Sequence, residues 1–173
     1  MNLKLVSPSV ELKESYVDYI SEWIEAKEKI VPLSSDSKNL SFEDMLDKWK
    51  EESNTEVLSR RLVPANTYFL VDDNNKIYGC LNFRHFLNDH LRYIGGHIGY
   101  GVRPSERNKG IASYMLKLAL ELIDNKYRLD KVLVTCDKNN VGSVKTILNN
   151  NGILENEIVD EYKTTQRYWI HLR

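Results

Sequence analysis

Two periods of hydrophobic and polar residues run through this chain, and their changes mark its elements. Leu12, Tyr16, Ile20 and Trp23 recur at helical spacing, with Tyr19 and Ile24 alongside. They predict an amphipathic helix from Pro8 to about Lys27, opened by Ser7-Pro8 and preceded by a short edge strand, Leu3 to Val6. After a Ser-rich connection over 32–39, Ser41 with Asp44 three residues on predicts a capped second helix bearing Phe42, Met45, Leu46 and Trp49 on one side. Residues 51–66 show no period, and Arg60-Arg61 within them read as exposed or as part of a segment near a substrate. Thr67–Val71, a turn over 72–75 and Lys76–His85 predict a hairpin, and Phe86–His90 turns the chain into the next strand.

The run from Tyr93 to Leu122 is the most informative. In its strand half Ile98, Tyr100 and Val102 alternate with Gly99 and Gly101, so one face is glycine. Glycines on a strand face mark a place where a ligand or another backbone comes close. In its second half Lys117, Glu121 and Asp124 form one polar stripe on an otherwise apolar helix, Ile111 to Ile123. A helix start presents unpaired N–H groups and a partial positive charge, so Gly110 and Ala112, with Arg103, Arg107 and Lys109 nearby, suit an anion such as a pyrophosphate. Beyond lie a strand (Lys131–Cys136), a turn (137–140), a short helix marked by Val141, Val144, Ile147 and Leu148 that stops at Asn150-Asn151-Gly152, and a closing strand pair, Ile153–Val159 and Thr164–Leu172.

With 173 residues the chain predicts one domain, 1–173. Lys+Arg number 24 and Asp+Glu 25, so no basic excess points to nucleic acid or to a membrane surface, and the basic cluster at the loop is local. No run approaches the roughly 18 apolar residues of a membrane span, and the N-terminus lacks a signal-peptide core, which predicts a cytoplasmic protein. Cys80 and Cys136 read as buried small hydrophobes, and the four histidines lack the spacing of metal ligands.

Arg107-Asn-Lys-Gly110-Ile-Ala112 resembles the R/Q-x-x-G-x-G/A signature of the GNAT superfamily, the acyl-CoA-dependent N-acetyltransferases, and the likeness extends over most of the chain from Tyr68 onward. It is nearest to a bacterial group of acetyltransferases with poorly defined substrates. The resemblance implies an α/β fold with a mixed, mostly antiparallel central sheet and one parallel βαβ unit whose two strands splay apart around the pantetheine arm. It implies acetyl-CoA as co-substrate and direct transfer of the acetyl group to a primary amine of a small molecule or a protein. Tyr100, Gly101 and Val102 are then expected along the pantetheine and acetyl carbonyl, and the amides of Arg107, Asn108, Lys109, Gly110, Ile111 and Ala112 at the pyrophosphate. Asn140 and Ser143 fit the family's N-x-x-A/S motif, and Asn140 fits a helix cap equally well. The tyrosine that should follow four residues later, as proton donor to the thiolate, is Ile147.

That departure keeps open a second class of function, a non-catalytic acyl-CoA-binding or sensor module. A third, a nucleotide-binding protein, lacks an acidic magnesium site near the basic loop. For a general base His97, on the glycine side of its strand, is a candidate because an ordinary histidine titrates near neutrality. Asn82, Arg84 and His85 are candidates for the amine acceptor's site, although alternation puts Asn82 and Arg84 on one face and His85 on the other. Glu14, Asp18, Glu22 and Glu25 of the first helix read as a solvated face or as a cationic-substrate site, and Tyr168 and Trp169 as core or acceptor pocket. Monomer and homodimer both fit the sequence.

Overall fold

The structure, a computed structural model, describes residues 2–54 and 63–173; Arg60-Arg61 lie outside the described residues. Strands β1 (Lys4–Val6), β2 (Ala65–Val71), β3 (Ile77–Arg84) and β4 (Ile98–Val102) form one antiparallel sheet in that order. Strands β5 (Lys131–Asp137), β6 (Ile153–Val159) and β7 (Thr164–His171) form a second, ordered β5-β7-β6 and also antiparallel. The predicted hairpin is β2–β3, with Tyr68 opposite Leu81 and Phe69 opposite Cys80.

Alternation along β3 builds two cores. Leu81 and Phe83 face helix α4 (Ile111–Tyr127), packing with Ile98, Met115 and Leu116. Cys80 faces α1 (Lys13–Glu25) and α2 (Phe42–Glu52), in a cluster with Tyr19, Trp23, Met45, Trp49 and Phe69. Full burial of side chains this large stabilises the fold by roughly 1.5–3 kcal/mol each. The thiols of Cys80 and Cys136 are unpaired and buried, and burial pushes both up, Cys136 to about 11.

Several boundaries differ from the sequence reading. Ser9 is extended and Val10–Leu12 forms a 3-10 turn, so α1 begins at Lys13 rather than Pro8. The capping box of α2 forms, Ser41 Oγ accepting from the Asp44 amide at 3.1 Å. A short helix, α3 (Asp89–Tyr93), occupies the expected approach to β4, capped by Asn88, whose Oδ1 accepts from the Leu91 amide. One turn is too short to leave a period in the sequence. Helix α4 runs one turn past Ile123 because Tyr127 stacks on Phe83 and His85. At the end of α5 (Val141–Leu148) Asn151 takes the left-handed conformation, φ 61°, and not Gly152.

Strands β4 and β5 belong to different sheets and touch at their starts. The His97 amide donates to the Leu133 carbonyl at 2.7 Å, and the Leu133 amide donates to His97 Nδ1 at 2.9 Å. Beyond that contact the two sheets part, and a cleft opens beside the start of α4.

Candidate active site

The cleft has a volume of about 580 Å³. Its floor is β4, through Tyr100, Gly101 and Val102; one wall is the loop and first turn of α4, another is the start of α5. The loop's conformation explains its sequence. Asn108 and Gly110 both take left-handed backbone, φ 60° and 77°, a conformation found where turn amides form anion-binding concavities. A Cβ on Gly110 would meet nothing within 4 Å, so the glycine serves the backbone angle and leaves open space at the helix start. The first-turn amides of α4 have no carbonyl behind them, and no side chain caps them.

The third wall was invisible in the sequence. Residues 28–33, after α1, cross the glycine face of β4 as a strap. A Cβ on Gly101 would run into the Val31 carbonyl, and one on Gly99 would lie 3.6 Å from the Pro32 ring. At Gly101 the close approach that its glycine permits is therefore made by backbone. Trp23, Glu28 and Lys29 line the cleft beside the strap. No local pattern signals this wall, since about 70 residues separate it from β4.

Of the cations expected at the anion site, each has a different fate. Arg107 lies in the cleft, its guanidinium 4.8 Å over the Trp23 ring, 2.7 Å from Glu28 and donating to the Val102 carbonyl. Lys109 turns away to Glu106 at 3.0 Å, and only its backbone is part of the loop. Arg103 is buried and bound to Asp18 and Glu22 of α1 at 2.8 and 2.6 Å, which removes it from the anion site and gives those two acids a structural task. Burial would raise the Glu22 carboxyl, but the Ser105 amide and the Arg103 guanidinium outweigh it and hold Glu22 below the usual range.

Asn140 and Ser143 line the cleft, and Asn140 Oδ1 caps α5 by accepting from the Ser143 amide at 3.0 Å. Asn140 therefore both caps α5 and lines the cleft. Ile147 points elsewhere: it is fully buried in the core. The tyrosine among the cleft's lining residues is Tyr100, its hydroxyl bonded to Ser143 Oγ at 2.8 Å and pushed up to about 12 by burial. The family resemblance implied only a backbone role for Tyr100, along the pantetheine and acetyl carbonyl.

His97 does not present a base. Its Nδ1 lone pair accepts from the Leu133 amide, so Nε2 carries the proton, and burial with Arg92 and Arg84 nearby lowers its pKa to about 4. It is a strut that fixes the meeting point of β4 and β5. His85 stacks on Phe83 and Tyr127 with its ring bonded to Asn66, on the α4 side of the sheet. Asn82 and Arg84 face the opposite side and line a second pocket of about 410 Å³ with Leu33 and Ser34 of the strap region. Tyr168 is buried against Gln166, and Trp169 stacks with His97 and Lys131. Among the described residues no helix is long and apolar enough to cross a membrane, and no group of three or more His, Cys, Asp or Glu could hold a metal ion.

Comparison with known proteins bears on this geometry. The sequence model of the acetyltransferase (GNAT) family matches residues 35–149. No curated protein matches the chain by sequence. Among solved structures it is similar to a chimera of the spermidine N-acetyltransferase from Vibrio cholerae, at 14% identity and TM-score 0.68, covering 99% of this chain and 96% of that one. It is similar too to a ribosomal-protein-S5-alanine acetyltransferase from Vibrio fischeri, at 15% identity and TM-score 0.68, covering 98% and 91%. The microcin C7 self-immunity acetyltransferase, solved with acetyl-CoA and AMP, matches at 16% identity and TM-score 0.67, covering 98% and 92%. At these identities the likeness speaks to fold, and the family match over two thirds of the sequence places the protein: this chain belongs to the acetyltransferase (GNAT) family.

Proposed function

We propose that the protein transfers the acetyl group of acetyl-CoA directly to a primary amine bound in the same complex. The observation that carries this reading is the left-handed pair Asn108 and Gly110 at the uncapped start of α4, opening onto the cleft that Tyr100, Asn140 and Ser143 complete. The fit to the cofactor is chemical. Amides at a helix start hold a pyrophosphate, Asn140 Nδ2 and the β4 backbone offer polar groups to an amide-bearing arm, and Arg107 adds charge once released from Glu28. Acetyl-CoA supplies the acetyl group as a thioester.

The residues of this chain position and polarise. Backbone N–H groups of β4 on the cleft floor are the donors available to the acyl oxygen. Tyr100, its hydroxyl held protonated by burial, turns its O–H from the Ser143 carbonyl toward the departing sulfur while accepting from Ser143 Oγ, a task that Ile147 cannot perform. Because a thiol ionises near neutral pH, that hydrogen bond assists departure without a full proton transfer. Holding donor and acceptor together accounts for much of the remaining rate.

Thiol release from acetyl-CoA, followed across amino acids, polyamines, aminoglycosides and lysine peptides, tests the proposal. Turnover with at least one amine class, slowed ~10-fold or more in Tyr100→Phe, is expected for a lost donor to a charged group. Binding of acetyl-CoA without thiol release from any amine would favour the non-catalytic module, for which the buried Ile147 speaks.

A further inference from the structure

Arg84 is a largely buried cation that no carboxylate of the described residues pairs with. Its Nη1 donates to the carbonyls of Gly95 and Gly96, at 3.1 and 3.0 Å. Burial alone lowers its pKa. An arginine still carries its charge under such a shift, and a buried charge left unpaired by the described residues is costly unless something else meets it. The guanidinium lines the second pocket, whose other charged groups are Lys38, Lys48 and Glu52. Glu52 pairs loosely with Lys48 at 3.9 Å, and burial raises its carboxyl more than Lys48 lowers it. Among the described residues the pocket is thus basic overall, with no carboxylate pairing Lys38 or Arg84.

The pocket's position joins it to the chemistry. Arg84 Nη2 lies 3.7 Å from where a Cβ on Gly99 would stand, and Asn82 is paired with Gly99 across β3 and β4. Gly99 precedes Tyr100, which lines the acetyl-CoA cleft. The strap lies between the two spaces: Val31 lines the cleft, Leu33 lines the second pocket, and Pro32 lies over Gly99. Asn82 spends its Nδ2 on Thr67, at 3.2 Å, and keeps Oδ1 for a donor.

We infer that this pocket receives the amine acceptor and that the acceptor carries a carboxylate close to its amine, as an amino acid or a peptide does. The carboxylate pairs with Arg84, supported by Lys38, and Asn82 Oδ1 accepts from the amine N–H; the amine reaches the acyl group over Gly99 when Pro32 of the strap moves aside. Arginine suits this because its planar donors match a carboxylate. The same charges disfavour a polyamine. This inference rests on the acetyltransferase reading of the cleft.

Two experiments test it. Thiol release is compared for matched pairs, each an amino acid or dipeptide and the amine lacking its carboxylate. The carboxylate member is expected to have a kcat/KM higher by ~10-fold or more, as one charge-assisted contact supplies, and the ratio within each pair to collapse in Arg84→Gln and recover partly in Arg84→Lys. Spermidine or the decarboxylated amines reacting faster, or a ratio indifferent to Arg84→Gln, would overturn the inference while leaving the acetyltransferase reading intact. Independently of turnover, N-acetyl amino acids should raise the melting temperature of the wild type more than their methyl esters do, and should lose that advantage in Arg84→Gln. Equal shifts for acids and esters would also overturn it. Failure of acetyl-CoA itself to bind would instead remove the acetyltransferase reading.

Discussion

Arg103 and Arg84 stand just beyond the ends of β4 and at the end of β3, and both are withdrawn from water. Around Arg103 the chain has closed the charge: Asp18, Glu22 and the Ile77 carbonyl take three of its donors. Around Arg84 it has supplied two carbonyls, and the rest of the guanidinium faces a pocket. The first region is a clamp that ties α1 to the end of β4. The second is a socket. A cation provided with carboxylates by its own fold tells about stability, whereas one left without them tells about what comes from outside.

Opposite outcomes for one type of substitution would break or sharpen that contrast. Arg103→Met should lose about 3 kcal/mol in urea unfolding, because Glu22 is left half-buried without its cation. Arg84→Met should change stability by no more than about 1 kcal/mol, since the lost carbonyl bonds are offset by removing an unpaired charge. Equal losses would erase the distinction. Gly101→Ala comes next, at about 1–3 kcal/mol, because the strap's Val31 carbonyl must move to admit a methyl group. Gly110→Ala should cost about 1–2 kcal/mol from the left-handed backbone alone, with no clash.

The smallest effects are electrostatic. Glu28→Gln should tighten acetyl-CoA binding up to about 5-fold, by freeing Arg107 from an exposed ion pair, and added salt should shrink the gain. The Glu22 carboxyl is held below its ordinary value of 4.5, so its contribution is present above that pH and lost as pH falls through the folded value. The stability gap between wild type and Arg103→Met should therefore narrow in acid, as pH-dependent unfolding would reveal.

How much of this could be read in the sequence depends on distance along the chain. The strand, loop and helix from Ile98 onward carry their signal locally, in period, glycines and cations, and the structure keeps them in register. The Ser41 capping box and the β2–β3 hairpin were legible for the same reason. What stayed hidden involves partners far apart. Arg103 meets acids 81 and 85 residues away, so its neighbours in sequence made it look like an anion ligand. His97 looks like a base until the Leu133 amide, 36 residues on, takes its lone pair. The strap over Gly99 and Gly101 likewise has no local signature, although the glycines correctly announced that something approaches that face.

Calorimetric titration with acetyl-CoA tests the central claim, that the start of α4 and the β4 floor form its site, most directly. The account predicts one site per chain, weakened ~10-fold or more in Arg107→Ala and in Gly110→Ala, the scale of a lost charge-assisted contact. Absence of binding, or variants that bind as the wild type does, would contradict it.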